Sequence, residues 1–292
     1  MTANRTGMLY AFLAYAIWGL FPLYFKQLHG VDAFEVIAHR TLWSLVVLLG
    51  ILAVLRRWQW LGAAFSNPRL LATFALSALL LSTNWVIYVW AVQNGHVVES
   101  SLGYFINPLV SVALGYAVLR ERPRPLQWAA LALATAGVLW LTASAGHPPW
   151  IALALAASFG LYGLMRKTAA LGALEGLTLE TMVLAPIAGI ALALWTAHGE
   201  SAFVAATPTV IGWLLLAGPI TAIPLLMFAA GARRITLTML GLMQYIAPTL
   251  QFSIGVWVYG EPLDGSKLIG FAIIWTALAA YSLEGLWRQA HR

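Results

Sequence analysis

The sequence contains no cysteine and few charged residues. Without cysteine, the 292-residue chain forms neither disulfides nor thiolate metal sites. Only 9% of its residues are Asp, Glu, Lys or Arg, whereas soluble globular domains contain about 25%. At the same time, 61% of the residues are hydrophobic. Since a soluble protein of this size presents a largely solvated surface, this composition excludes a soluble protein and predicts a chain embedded in lipid.

Several motifs of catalytic and ATP-driven proteins are also absent. The sequence has no H-E-x-x-H, no G-x-S-x-G and no G-x-x-x-x-G-K-[ST], so a metalloprotease, a serine hydrolase and an ATP-driven pump lack their residues. The six histidines are scattered without metal-ligand spacing, and no repeated carbonyl filter of a channel is visible. We therefore predict no enzyme, no metal and no other cofactor, with an intramembrane enzyme kept as an alternative.

Apolar runs long enough to cross a bilayer recur along the whole chain. A hydrocarbon core of about 30 Å needs about 20 apolar helical residues per crossing. The runs are joined by short connections, which leave no room for a domain outside the membrane. The predicted fold class is an all-α integral membrane protein with ten transmembrane helices, near residues 8–27, 32–55, 70–94, 97–119, 125–143, 149–165, 174–197, 208–232, 236–259 and 265–287.

The distribution of basic residues predicts the orientation. With a cytoplasmic N-terminus, thirteen of the sixteen Lys and Arg residues lie in cytoplasmic segments. Lys26 and Lys267 lie outside, and Arg40 lies within the second span. Both termini are therefore predicted to be cytoplasmic. Because the basic residues form short clusters rather than one basic face, we expect no nucleic-acid partner. The expected partners are the lipid bilayer and a small-molecule substrate, and a homodimer is left open.

Two similar segments reveal an internal repeat. "GYFINPLVSVALGYAVLRERP" begins at Gly103 and "MQYIAPTLQFSIGVWVYGEP" begins at Met243, and in each a Glu follows the proline by thirteen residues. The two halves align with an offset of 140 residues. Because each half has five spans, the second half is predicted to be inverted relative to the first. We assign residues 1–145 and 146–292 to the two repeats. Inverted repeats are typical of secondary transporters, which alternate between two near-equivalent states.

Five stretches of the sequence also resemble a known family. These are "AYAIWGLFPLYFK", "AHRTLW", "NWVIYVWAV", "ESSLGYFINPLVSVALG" and "QYIAPTLQF". They are similar to the RarD branch of the EamA-type proteins, within the drug/metabolite transporter superfamily. The resemblance implies two inverted EamA repeats in the bacterial inner membrane. It also implies export of small metabolites, amino acids or small aromatic or amphiphilic drugs. The alternative is a facilitative, channel-like or importing carrier for another small solute.

Two ionisable residues lie deep in predicted spans and are the first candidates for a substrate site. Arg40 in the second span and Glu180 in the seventh are repeat equivalents, and both fall near the middle of the membrane. A cation and an anion there suit the carboxylate and the amine of a zwitterionic substrate. A second interpretation stays open, in which the two side chains pair with each other or with backbone carbonyls.

The remaining candidates are polar or aromatic residues deep in apolar runs. Proline removes a backbone donor and loosens a helix, so Pro108 and Pro248 are the predicted hinges. Glu99, near the outer face, is the predicted proton-coupling carboxylate, although an acidic residue at a helix start is stabilising in any case. The other predicted substrate-binding residues are Trp18, Asn84, Tyr88, Tyr104, Asn107, Gln244 and Tyr245. Helix packing is the alternative interpretation for each of them.

Overall fold

The protein is described here by a computed structural model covering residues 3–28, 30–93, 97–145, 150–205, 207–258, 265, 268–270, 272–277 and 279. Within these ranges the chain is helical with short turns, and none of these residues lies in a β-strand. The helices are α1 (Ala3–Gly19), α2 (Phe21–Gln27), α3 (Ala33–Leu55), α4 (Trp60–Phe65), α5 (Pro68–Gln93), α6 (Val97–Ala117), α7 (Pro125–Ala145), α8 (Trp150–Thr168), α9 (Ala173–Ala197), α10 (Ala202–Ala205), α11 (Pro208–Ala232), α12 (Leu237–Met243) and α13 (Ile246–Trp257).

Several of these helices are long and apolar enough to cross a membrane. Those that meet this description are the stretches Asn4–Gln27, Ala33–Leu55, Pro68–Tyr88, Pro125–Ala143, Ala173–Ala197 and Pro208–Ala232. The second to eighth predicted spans each correspond to one helix, with ends that differ by a few residues. The tenth predicted span lies largely outside the described residues. The chain is therefore a multi-pass helical membrane protein.

The first predicted span is not one helix, so that prediction was wrong in detail. Helix α1 ends at Gly19 and α2 begins at Phe21. Pro22 lies in the first turn of α2, where a missing backbone N–H leaves no hydrogen bond unmade. Gly19 also sits against α13, because a Cβ atom there would approach Leu250 Cβ to 2.7 Å. The break thus occurs where α1 meets α13 most closely.

The ninth predicted span is likewise divided into α12 and α13, which corrects the prediction of one continuous helix. Gln244 and Tyr245 form the turn between them, and Pro248 lies in the first turn of α13. Its repeat equivalent Pro108 lies inside α6, which continues from Val97 to Ala117. The same sequence motif therefore accompanies a broken helix in one half and a continuous helix in the other.

The most extensive helix packing joins residues before 146 to residues after it. Helix α6 packs on α8 and α12, α3 packs on α9 and α11, and α1 packs on α11. At the centre of this packing, the aromatic rings of Tyr15, Tyr162 and Phe228 are buried. The space flanked by α1, α5, α6, α8 and α13 is where the candidate site lies.

Candidate functional site

A cavity of about 700 Å³, counted with the space at its open side, lies between the two sets of helices. Eight of the side chains that line it are aromatic and none is charged. Aromatic rings pack against apolar and aromatic groups, and their faces attract cations. We call this space the aromatic cavity. Its lining residues are Tyr15, Trp18, Phe21, Pro22, Phe25, Leu81, Asn84, Trp85, Tyr88, Tyr104, Phe159, Leu225, Gln244, Ala247, Pro248 and Gln251.

The structure brings several of the sequence-predicted residues together around this cavity. They are Trp18, Asn84, Tyr88, Tyr104, Gln244 and the predicted hinge Pro248. The Tyr88 and Tyr104 ring centroids are 5.7 Å apart, which joins α5 to α6 at the cavity wall. Tyr104 and Gln244, which occupy equivalent positions in the two repeats, thus face the same space.

Two amide side chains in the cavity wall are fixed by hydrogen bonds to the backbone. Asn84 Nδ2 donates to Leu155 O at 2.9 Å and to Ser158 Oγ at 3.0 Å. Gln251 Nε2 donates to Trp18 O at 3.1 Å. Since their donors are used, the amide oxygens are left to accept hydrogen bonds. The sequence analysis did not select Gln251, although an amide one turn after Pro248 in an apolar run was a usable signal.

A second, smaller space of about 360 Å³ contains both deep ionisable residues, Arg40 and Glu180. We call it the polar pocket. It shares the side chains of Leu81 and Leu225 with the aromatic cavity, so these two leucines separate the two spaces. The polar pocket is lined by Arg40, Thr41, Ser44, Leu81, Leu177, Glu180, Thr181, Leu184, Thr221, Ala222 and Leu225.

Arg40 is buried without an acidic partner in the described part of the chain. Its side chain is 7% exposed, and its guanidinium carbon lies 4.2 Å from the centroid of the Trp85 ring. Neither Nε nor Nη1 has a hydrogen-bond partner among the described residues. Because Trp85 also lines the aromatic cavity, the cation lies directly behind one wall of that cavity. Buried cations are normally paired, so Arg40 is equipped to bind an anionic group.

Glu180 has a different partner from the one that the sequence suggested. Its Oε1 lies 3.4 Å from Arg166 Nη1, and both side chains are 1% exposed. Ser77 Oγ also donates a hydrogen bond to Oε1. Direct pairing of Glu180 with Arg40 is therefore not what holds this carboxylate. Arg166 was assigned to a cytoplasmic basic cluster, and the structure instead buries it completely in the last turn of α8.

Three further candidates lie away from both spaces. Asn107 is 1% exposed and lines neither the aromatic cavity nor the polar pocket. Tyr245 is also buried, and its hydroxyl donates to Phe105 O at 3.2 Å, which ties the ninth predicted span to α6. The hinge candidate Pro108 packs beside α12, because a Cβ atom at Gly241 would lie 3.0 Å from Pro108 O. The side chain of Glu99 is outside the described residues, and its coupling role stays a prediction.

Comparison with known proteins assigns the family. Residues 5–143 match the EamA-like transporter family. Over 287 residues the chain is 43% identical to protein RarD of Escherichia coli K12, covering 98% of this chain and 97% of that protein. The chain belongs to the RarD branch of the EamA-type transporters. This assignment confirms the family resemblance seen in the sequence.

Other relatives of this EamA-type transporter agree. An uncharacterized transporter of Pseudomonas aeruginosa is 46% identical over 294 residues, covering 100% of this chain and 98% of that protein. The chloramphenicol-sensitive protein RarD of the same organism is 34% identical over 287 residues, covering 95% and 94%. A crystal structure of 19% sequence identity matches with a TM-score of 0.72 over 96% of this chain and 98% of the other, which shows a shared fold. For a RarD-branch transporter, the aromatic cavity and the polar pocket form the candidate solute site.

Proposed function

We propose that this transporter is a secondary carrier that exports small zwitterionic or amphiphilic solutes, such as amino acids or small aromatic drugs. The transport cycle is alternating access without ATP. A cavity with aromatic walls and no charge, next to a buried cation and a buried anion, suits a solute with an apolar body and a charged head. The absence of a nucleotide-binding motif from the sequence supports the ATP-independent cycle.

The proposed architecture has ten transmembrane helices in two inverted repeats, residues 1–145 and 146–292. Both termini are cytoplasmic, and the protein resides in the bacterial inner membrane. Three features support this arrangement: the basic residues fall on one side, the halves align with an offset of 140 residues, and helices of one half pack on helices of the other. Pro108 and Pro248 are the proposed hinges, and the break before Pro248 favours larger motion in the second half.

The observation that carries the solute proposal is the unpaired guanidinium of Arg40. A carboxylate in the polar pocket would accept hydrogen bonds from Arg40 Nε and Nη1, which have no partner among the described residues. An ammonium group fits the same pocket, because Glu180 is nearby and two hydroxyl groups already donate to the backbone. Thr41 Oγ1 donates to Ile37 O, and Thr181 Oγ1 donates to Leu177 O. Their oxygens can accept from the ammonium group.

The body of the solute would occupy the aromatic cavity, while its head reaches Arg40. Leu81 and Leu225 stand between the two spaces, so their side chains must change rotamer when a solute occupies both. Trp85 would contact the solute on one face while Arg40 stacks on its ring. This arrangement favours solutes with an aromatic or bulky apolar side chain over small polar ones.

The test compares uptake by purified protein in proteoliposomes for the wild type and for Arg40→Gln. Loss of a charge-assisted hydrogen bond costs about 1.5–3 kcal/mol, so the apparent KM for a zwitterionic solute should rise about 10-fold to 100-fold. Arg69→Gln, which removes an exposed arginine, is the matched control and should leave KM unchanged. An unchanged KM in folded Arg40→Gln protein would refute the role of Arg40 in solute binding.

A further inference from the structure

The loop after α6 carries a carboxylate that holds the start of α12. Glu121 Oε1 accepts a hydrogen bond from Leu237 N at 2.7 Å. Its Oε2 accepts from Thr238 N at 3.0 Å and from Thr238 Oγ1 at 2.9 Å. Lys167 Nζ, from the last turn of α8, lies 3.9 Å from Oε1. Four groups from two other segments thus converge on one side chain.

These contacts satisfy backbone groups that α12 cannot satisfy by itself. The first N–H groups of a helix have no partner inside it, and the positive end of the helix dipole attracts an anion. Thr236 Oγ1 accepts from Met239 N at 3.1 Å, which leaves the N–H groups of Leu237 and Thr238 for Glu121. Because Glu121 is 116 residues before Leu237, this cap is a tertiary contact and not a local one.

The other end of α12 reaches the candidate solute site. Helix α12 has seven residues and is about 10 Å long. It ends at Gln244, which lines the aromatic cavity together with Ala247 and Pro248. A rigid segment therefore connects Glu121 to the cavity wall. If α12 moves, Gln244 and the turn that precedes Pro248 must move with it.

Between Glu121 and the aromatic cavity, the bundle is closed by packed aromatic rings. Along α8, Phe159 lines the cavity, Tyr162 lies about one turn later, and Lys167 lies about 12 Å beyond Phe159. Phe228 packs on both rings, with centroid distances of 5.3 Å to Phe159 and 5.9 Å to Tyr162. The end of the bundle that holds Glu121 is therefore shut in this structure.

We infer that Glu121 is a positioning residue that keeps this end of the transporter closed by holding α12 in place. For the cavity to open toward the Lys167 end, the ring contacts of Phe228 and the Glu121 contacts with α12 must both break. This inference rests on the proposed alternating access and does not depend on which solute is carried. In the proposed orientation, the Lys167 end is the cytoplasmic end.

The inference also explains the spacing of the repeated motif in the first half. A Cβ atom at Gly115 would lie 2.7 Å from Glu121 Oε2 and 3.3 Å from Leu237 Cβ. Glycine at this position therefore lets the carboxylate and α12 lie directly against α6. Pro108, Gly115 and Glu121 act together as the segment on which α12 is seated.

The test measures access to the cavity from each side of the membrane. Because the chain has no cysteine, Ala247→Cys provides a single label site in the aromatic cavity wall. A membrane-impermeant maleimide is applied separately to each side of oriented vesicles. In the Glu121→Ala background, labelling from the Lys167 side relative to the opposite side should rise about 10-fold or more, because three hydrogen bonds to a carboxylate are lost.

Two further variants make the test decisive. Thr238→Val removes one of the three hydrogen bonds and should change the labelling ratio in the same direction by a smaller factor. Glu175→Gln is the matched control, since Glu175 pairs with Arg57 at 3.6 Å in the neighbouring connections and should leave the ratio unchanged. A wild-type ratio in folded Glu121→Ala protein would overturn the inference. If that variant does not fold, a wild-type ratio in Thr238→Val would overturn it. Neither readout requires a transported solute.

Discussion

The buried pair of Arg166 and Glu180 predicts a specific pattern of stability changes. The two side chains are each 1% exposed and 3.4 Å apart. Removing one partner of a buried ion pair leaves an unpaired charge and costs about 3–5 kcal/mol. Glu180→Gln should fall at the lower end of this range, because Arg166 Nη2 still donates to Gly172 O and Ala173 O. Arg166→Gln should fall at the upper end, because Glu180 then retains the Ser77 hydroxyl as its partner.

The double variants distinguish this pairing from pairing with Arg40. Glu180→Gln combined with Arg166→Gln should recover most of the lost stability, since no unpaired charge remains. Arg40→Gln alone should change stability by no more than about 1 kcal/mol, because it removes an unpaired buried cation and its contact with the Trp85 ring. Combining Arg40→Gln with Glu180→Gln should therefore give no recovery.

The assay is thermal unfolding of the purified variants in one detergent at one protein concentration, followed by solute binding. Two results would refute the reasoning: wild-type stability in Arg166→Gln, or recovery in the Arg40 double variant but not in the Arg166 double variant. Either result would mean that Glu180 depends on Arg40. Loss of binding with retained stability in Arg40→Gln is the expected signature of a solute contact.

Three further predictions concern topology, motion and specificity. In the cysteine-free chain, Glu200→Cys should react with an impermeant reagent from outside and Ser66→Cys from inside, and the reverse labelling would contradict the orientation. Pro248→Ala should slow solute exchange several-fold at unchanged affinity while Pro108→Ala has a smaller effect, because the helix is broken before Pro248 alone of the two; equal exchange rates would remove the hinge difference. Trp85→Leu should weaken binding of aromatic solutes more than that of aliphatic ones in competition assays, and equal losses would argue against aromatic contacts.

Hydropathy and the repeat predicted much of the helical framework. The second to eighth spans were found within a few residues, because length and apolar content are what a bilayer requires of a helix. The offset of 140 residues correctly paired Tyr104 with Gln244, and both line the aromatic cavity. The breaks at Gly19 and Gln244 were missed because an apolar run looks the same whether it forms one helix or two shorter ones.

The sequence was less informative about which side of a helix faces the cavity. In spans that are apolar all round, polar residues carry little periodic signal, so Asn107 and Tyr245 could not be separated from Tyr104. Arg166 was missed for a different reason. It stands next to Lys167 at the end of a span, where basic residues normally face the cytoplasm, and only the packing of α8 on its neighbours buries it against Glu180.

The central claim is that this protein carries a small solute through alternating access without ATP. Counterflow in proteoliposomes tests it most directly, with wild-type protein, no nucleotide, and a panel of amino acids and cationic or aromatic drugs. Vesicles loaded with an unlabelled solute should transiently accumulate the labelled form of that solute from outside, and Arg40→Gln should abolish accumulation of a zwitterionic one. Equilibration of a solute without transient accumulation, or no accumulation of any solute in the panel, would contradict the claim.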